Sequence, residues 1–210
     1  MMNYTELVQA IRDYAENDEA TFVSQIPTFV RQTEERIFRS VLIPELRTHA
    51  TASTTSGNQY LARPADFLAP FSMAVVDDAG EYYYLLEKDV DFMREAYPAP
   101  TTTGLPKYYA QFDGDRPGGE GNFLLAPTPG AAYTMQLHYY YDPESIVTSG
   151  TSWLGDNAEQ LLLYGSLTEA YTFMKGDADL MATYEKKYQE ALAQLGGLAV
   201  RSETDTYRKD

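Results

Sequence analysis

Apolar residues recur at helical intervals in two blocks, residues 3–41 and 156–198, and at strand intervals over most of the hundred or so residues between. In the first block, Asn3 and Glu6 have capping-box spacing, and Leu7, Val8, Ile11 and Tyr14 follow on one face. They predict a short helix to about residue 16, closed by an Asn17-Asp18 turn. Phe22, Val23, Ile26, Phe29, Val30, Thr33, Ile37 and Phe38 form a second stripe. Pro27 lies inside it, where an internal proline removes a hydrogen bond and costs about 3 kcal/mol. The reading therefore breaks the chain near Gln25 and runs a longer helix from Pro27 to about Val41, ahead of Pro44. Arg31, Glu34, Glu35, Arg36 and Arg39 make its outer face, of mixed sign at pair-forming spacings.

The second block opens with Asp156 as N-cap and Glu159 three residues on. Leu161, Leu162, Tyr164, Leu167, Ala170, Tyr171 and Met174 give a wide apolar face that stops at Lys175-Gly176. Leu180, Met181, Tyr184, Tyr188, Ala191, Leu192 and Leu195 continue as a second helix, making an αα-hairpin. Gly196-Gly197 weakens its end, and residues 199–210 read as an extended arm, too polar to order alone.

Between the blocks, short extended runs at residues 47–54, 59–61, 71–76, 82–86, 108–112, 123–125 and 133–141 alternate with turns. Residues 77–81 read as a hairpin turn and residues 87–97 as a brief helix stopped by Pro98 and Pro100. The last run sets Tyr133, Met135, Leu137, Tyr139 and Tyr141 on one face. The fold class is therefore α+β: a helical bundle formed by the N- and C-terminal helices, with a central, mostly antiparallel β insert. The organisation read is 1–45 for the N-terminal helices, 46–152 for the insert, 153–198 for the C-terminal hairpin and 199–210 for the arm.

Charge changes the picture next. The chain carries 31 acids against 16 bases, a net charge of -15, with 7 and 4 in residues 1–40, 14 and 6 in 41–152, and 10 and 6 in 153–210. No cluster of Lys and Arg exists to neutralise phosphates, so tight DNA binding is not expected. No run approaches the roughly 18 uncharged apolar residues of a membrane helix, and the start lacks the regions of a signal peptide. A soluble protein made in a cytoplasm is expected. With no cysteine, thiol catalysis, disulfides and thiolate metal sites are absent.

Candidate chemistry is sparse. His49 and His138 are the chain's two histidines and read as structural residues of strands. Asp113-Gly114-Asp115 with Gly118-Gly119-Glu120-Gly121 lacks the further oxygen ligands of a calcium loop. No catalytic, cofactor or metal site is assigned, and no enzyme activity is expected. Eighteen tyrosines are an excess, with runs at residues 82–84, 108–109 and 139–141. Neighbours in a strand face opposite ways, so each triplet sends at least one ring off the inner face. Such rings suit a subunit or partner contact, or a sheet covered by its own helices and loops.

Phe22-Val23-Ser24-Gln25-Ile26-Pro27-Thr28-Phe29-Val30-Arg31 with Glu34-Glu35-Arg36-Ile37-Phe38-Arg39 resembles the early helices of tailed-phage head-to-tail adaptor proteins of the tail tubular protein A type. Trp153-Leu154-Gly155-Asp156, Tyr164-Gly165-Ser166-Leu167, Glu169-Ala170-Tyr171, Met174-Lys175-Gly176-Asp177 and Tyr184-Glu185 to Tyr188 are similar to their C-terminal helical pair. Phe67-Leu68-Ala69-Pro70 and Gly104-Leu105-Pro106-Lys107-Tyr108-Tyr109 fit within the insert. The resemblance covers nearly the whole chain. It implies a virion protein at the head-tail junction, assembled in the host bacterial cytoplasm as a dodecameric homo-oligomer ring. Its implied partners are the portal protein and the tail nozzle or tail-tube protein, with DNA passing through the lumen without specific binding. The C-terminal arm, with Arg201, Tyr207, Arg208 and Lys209, would reach the portal. Residues 113–122 depart from the family in a longer, glycine-rich loop. The alternative class is a carbohydrate-binding tail accessory module using the Tyr-rich sheet.

The charge distribution generates a first prediction. Titration of labelled duplex DNA at about 150 mM salt is expected to show no appreciable binding, and tight, salt-sensitive binding would overturn it.

Overall fold

A computed structural model describes residues 1–77, 79–112 and 121–207, leaving out the side chains of residues 198 and 200–207. The elements begin with α1 (Tyr4–Ala15), α2 (Ala20–Ser40), a 3-10 turn (Pro44–Leu46), β1 (Arg47–Ser53), β2 (Tyr60–Ala62), β3 (Phe67–Val76), β4 (Tyr82–Glu87) and α3 (Val90–Ala96). They continue with β5 (Thr103–Gly104), β6 (Tyr108–Phe112), β7 (Asn122–Ala126), β8 (Thr128–Pro129), β9 (Thr134–Tyr141), α4 (Ile146–Ser149), α5 (Trp153–Asn157), α6 (Glu159–Met174) and α7 (Ala178–Tyr207). Two compact units result, Met1–Glu45 with Pro143–Asp210, and Leu46–Asp142.

In the helical unit the capping box forms as read: Asn3 Oδ1 accepts the Glu6 N–H at 3.0 Å and Glu6 Oε2 accepts the Asn3 N–H at 2.9 Å. The break expected near Gln25 does not occur, and Pro27 lies within one helix from Ala20 to Ser40. Phe22 and Ile26 before the proline, and Phe29, Val30 and Ile37 after it, are all buried on one stripe. At roughly 1.5–3 kcal/mol for each buried large side chain, keeping that stripe in line outweighs the ~3 kcal/mol of an internal proline.

The outer face expected on α2 is not uniformly wet. Glu34 is 4% exposed. Its carboxylate accepts the Ser145 hydroxyl and, at 2.9 Å, the Ile146 N–H, so it caps α4 where the chain re-enters the helical unit. Arg36 leaves its own helix to pair with Glu169 of α6, at 3.6 Å, and Glu185 of α7, with its guanidinium 4.3 Å from the Tyr188 ring centre. Glu35 and Arg39 make the i,i+4 pair that the spacing predicts.

Asp156 is not the N-cap expected. Ser152 caps α5 instead, its hydroxyl accepting the Gly155 N–H at 3.1 Å, and Asp156 sits inside that short helix. Ala158 then separates α5 from α6, with φ at -140°. A Cβ on Gly155 would strike the carbonyl oxygen of Met2, whose N–H donates to Gly155 O at 2.8 Å. Lys175 closes α6 in the left-handed region at φ 53°, and Gly176 leaves room for the Tyr171 ring. Asp177 Oδ1 then accepts the N–H groups of Asp179 and Leu180 at 2.8 and 3.0 Å, starting α7.

Residues 199–207, read as extended, continue α7 to Tyr207. Each glycine of Gly196-Gly197 costs about 1 kcal/mol. An established helix nevertheless gains a hydrogen bond for each residue added, and Leu198, Ala199 and Arg201 are good or tolerable helix formers. No helix among the described residues is long and apolar enough to cross a membrane.

Helix α6 packs against α1, α2 and α7. At its centre a Cβ on Gly165 would collide with Thr33 Cγ2 and lie 3.0 Å from the Tyr188 ring. Thr33 and Ser166, both wholly buried, return their hydroxyls to their own helices, onto Phe29 O and Leu162 O.

The second unit is a seven-stranded sheet in the order β1-β9-β3-β4-β6-β7-β2. Its pairings are antiparallel except β4 with β6, and the β5–β8 pair is also parallel. A parallel neighbour needs a crossover, which the α3 segment between β4 and β6 supplies. Strand β3 starts at Phe67, ahead of the expected Phe71, and register shifts at Phe67/Ala69 and Pro70/Ser72 accommodate Pro70. The sheet curls around one core holding Leu61, Met73, Val75, Leu85, Phe123, Leu125, Met135, Leu137 and Tyr139. The β9 alternation is as read, with Tyr133 and Tyr141 packed at the margin of that core. A smaller cluster, Met93, Ala110, Leu124 and Ala126, joins α3 to β6 and β7.

The glycines give opposite predictions. Gly165→Ala is expected to lower stability by about 1–3 kcal/mol through overpacking. Gly197→Ala, with nothing within 4 Å of the added methyl, is expected to raise it by up to ~1 kcal/mol. Urea unfolding of the two variants checks both signs.

Candidate functional site

Strand β4 carries an unusual exposed aromatic run. Its antiparallel register with β3 sets Val75 against Tyr83, Ala74 against Tyr84 and Met73 against Leu85. Alternation therefore puts Tyr82, Tyr84 and Leu86 on one face and Tyr83 and Leu85 on the other. Leu85 enters the core, whereas Tyr82 is 53% exposed, Tyr83 43%, Tyr84 65% and Leu86 59%. The cause lies in the pairing. Among the described residues strand β6 meets β4 only through Leu86 and Glu87, so residues 82–84 pair with β3 on one side and with no described strand on the other.

Acids sit at the start of this run. Asp77 Oδ1 accepts the N–H groups of Ala79 and Glu81 at 2.8 and 2.9 Å, and the Tyr83 hydroxyl donates to Glu81 Oε2 at 3.2 Å. The backbone hydrogen bond from Glu81, against the opposing effect of burial and with help from the Ala79 N–H, holds the Asp77 carboxyl below its usual range. The Glu81 hydrogen bond pushes the Tyr83 phenol up. The result is exposed phenol rings on both faces of one strand with an anionic end, chemistry suited to a protein partner offering apolar surface and basic groups.

Other tyrosines are structural. Tyr109 is buried in the core with its hydroxyl 3.4 Å from Glu87, and Tyr139 donates to Asp66 at 2.9 Å. Tyr184, buried in the helical unit, lies among Tyr14, Tyr164 and Tyr171. Burial first, then the neighbouring carboxylate or phenol, pushes each of Tyr109, Tyr139 and Tyr184 up to about 12. Tyr140 faces away from the core yet is 3% exposed. Arg47 explains this: its guanidinium donates twice to the Tyr140 hydroxyl, at 2.9 and 2.6 Å, and lies 4.2 Å from the Phe71 ring centre.

The two histidines, far apart in sequence, stand directly opposite each other on β1 and β9. Their ring centres are 6.2 Å apart, and His138 Nδ1 is 3.0 Å from the Ser72 hydroxyl. Among the described residues no group of three or more His, Asp or Glu side chains converges. Of the arm residues, Arg201 and Tyr207 lie on the backbone of α7, while Arg208 and Lys209 fall outside the described residues. Residues 113–120 of the glycine-rich loop, with Asp113 and Asp115, also fall outside them. The sequence reading missed the connecting roles of Glu34 and Arg36. Glu34 stands four residues after Val30 and next to Thr33, a position bordering the apolar stripe that could have flagged its burial.

The fragments that resemble phage adaptors converge in the helical unit on close contacts: Arg36 with Glu169 and Glu185, Gly165 against Thr33 and Tyr188, Gly155 against Met2. The family model for SU10 adaptor protein matches residues 2–209. The chain belongs to the SU10 adaptor protein family. No curated protein matches it. Membership makes this SU10 adaptor a phage structural protein and agrees with the head-to-tail adaptor resemblance.

The buried phenols of this SU10 adaptor fix an alkaline response. An unfolded tyrosine ionises near pH 10, whereas these three hold their protons to about 12. Above pH ~10 the unfolded chain binds fewer protons than the folded one, so stability is complete below that pH and falls as pH rises toward 12. Urea midpoints measured across this range should decline, and Tyr109→Phe should flatten part of the decline. A level profile would contradict the assignment.

Proposed function

We propose that this SU10 adaptor forms a ring, dodecameric as in the resemblance, that joins the portal of the phage head to the tail and lines the DNA conduit. The observation that carries the proposal is the family match across residues 2–209. In this reading the helices of the first unit form a bundle that packs around the ring, and the β unit reaches the tail nozzle or tail-tube protein. A net charge of -15 suits a passage through which DNA slides without adhering. The role is structural rather than catalytic, at the head-tail junction of a virion assembled in the host cytoplasm. Portal attachment is assigned to the C-terminal residues Arg201, Tyr207, Arg208 and Lys209, where aromatic burial combines with charged pairing.

The second reading, a carbohydrate-binding tail module, draws on the exposed rings of Tyr82 and Tyr84. Glycan-array binding without a ring on the portal would favour it. Electron microscopy of the protein mixed with its portal is expected to show a ring, and virions carrying isolated copies away from the joint would overturn the proposal. Deleting residues 201–210 should preserve the fold and abolish portal attachment, and a truncated protein that still joins heads to tails would refute the role of those residues.

A further inference from the structure

We propose that His49 and His138 together bind one divalent transition-metal ion, of the imidazole-preferring class that includes Ni2+ and Zn2+. They are the chain's entire complement of histidine, and the β1–β9 register places them directly opposite each other. Opposed side chains of an antiparallel pair start about 4.5–5.5 Å apart at Cβ and project from the same face. Their ring centres lie 6.2 Å apart with the planes inclined at 53°. An ion held by two imidazole nitrogens at about 2.0–2.1 Å puts the ring centres roughly 5 Å apart for a tetrahedral angle and about 6.4 Å apart for a linear one. The observed separation falls inside that interval, and His49 is exposed and free to turn toward the shorter end.

The second histidine is already oriented. Its Nδ1 lies 3.0 Å from Ser72 Oγ, and an Nδ1–H donating to that hydroxyl leaves Nε2 as the ligating atom. Oxygen partners on the second ring nitrogen fix tautomer and ring direction at metal sites, and the Ser72 hydroxyl is placed to act in this way. Of the flanking positions, only Arg47 carries a positive charge, and its guanidinium is engaged by the Tyr140 hydroxyl and the Phe71 ring. Thr51 on β1, Gln136 on β9 and Ala74 on β3, on the opposite side of the pair from Arg47, are neutral. Water completes the coordination sphere, and the acidic chain raises the local cation concentration.

Titration calorimetry with NiCl2 on the full chain, free of any histidine tag, tests the assignment. One ion per chain is expected, lost to below detection in both His49→Gln and His138→Gln, with Ser72→Ala weakening affinity about tenfold. Wild-type affinity in either histidine variant would overturn it, as would half an ion per chain, which means an ion shared between two molecules. Circular dichroism in metal-free buffer checks that the variants fold. Should His138→Gln not fold, His49→Gln decides the matter, because His49 is exposed.

Discussion

The antiparallel pairing of β1 with β9, first strand against last, is the constraint on which the rest of this adaptor depends. It sets Arg47 opposite Tyr140, so the ends of the Leu46–Asp142 unit emerge side by side. Without it the two halves of the helical unit would be joined by a loop of nearly a hundred residues, whose closure opposes folding by about 4 kcal/mol plus a constant. The ladder is fastened where that matters most. Arg47 donates to Tyr140, Tyr139 to Asp66, and the Asp142 N–H to Asp66 O at 2.8 Å. Glu34 then captures Ser145 and Ile146 immediately after the chain leaves the sheet. The histidine pair lies in the same ladder, so an ion bound there would reinforce the pairing that closes the insert.

Once the halves meet, close approach rather than charge determines the helical packing. Arg36 is 34% exposed at its side chain, and ion pairs so placed contribute at most about 1 kcal/mol each. Its value is geometric, since one planar group touching Glu169, Glu185 and Tyr188 fixes the spacing of α2, α6 and α7. Gly165 matters more, because any side chain there displaces Thr33 or Tyr188 in a core without slack. Thr33 and Ser166 fit beside it because small hydroxyl residues satisfy themselves on the preceding turn while keeping the helices near.

How much of this was legible in the sequence follows the range of the interactions. The Asn3–Glu6 box, the alternation of β9 and the α6 stop at Lys175 are local, and each was readable from neighbours a few residues apart. Pro27 misled because its penalty is local, whereas the burial that overrides it is tertiary. Ser152 displaced Asp156 as a cap because two competent residues four apart compete, and the contact of Gly155 with Met2 favours the earlier start. Glu34 looked like surface since its partners, Ser145 and Ile146, are over a hundred positions away. The histidine pair was illegible for the same reason: β1 and β9 pair across about eighty residues of chain, and nothing local to either strand fixes their register. The exposed edge of β4 was half legible, as a tyrosine run whose outward face could be inferred but not its missing neighbour.

That edge carries its own chemistry against pairing with like strands. A strand with one side unpaired invites pairing with other copies, and valine or isoleucine there would make it an aggregation site. Tyrosines at positions 82–84 present similar contact area while keeping hydroxyls in water, and Asp77 and Glu81 place charge at the strand's entrance. The Asp77 carboxyl accepts two backbone N–H groups, which favour its charged form. Copies of the same acidic strip therefore repel one another, whereas a partner with basic groups gains both ring burial and charge neutralisation. The same residues that offer ring area at this edge therefore also set a like-charge cost on pairing it with its own copy.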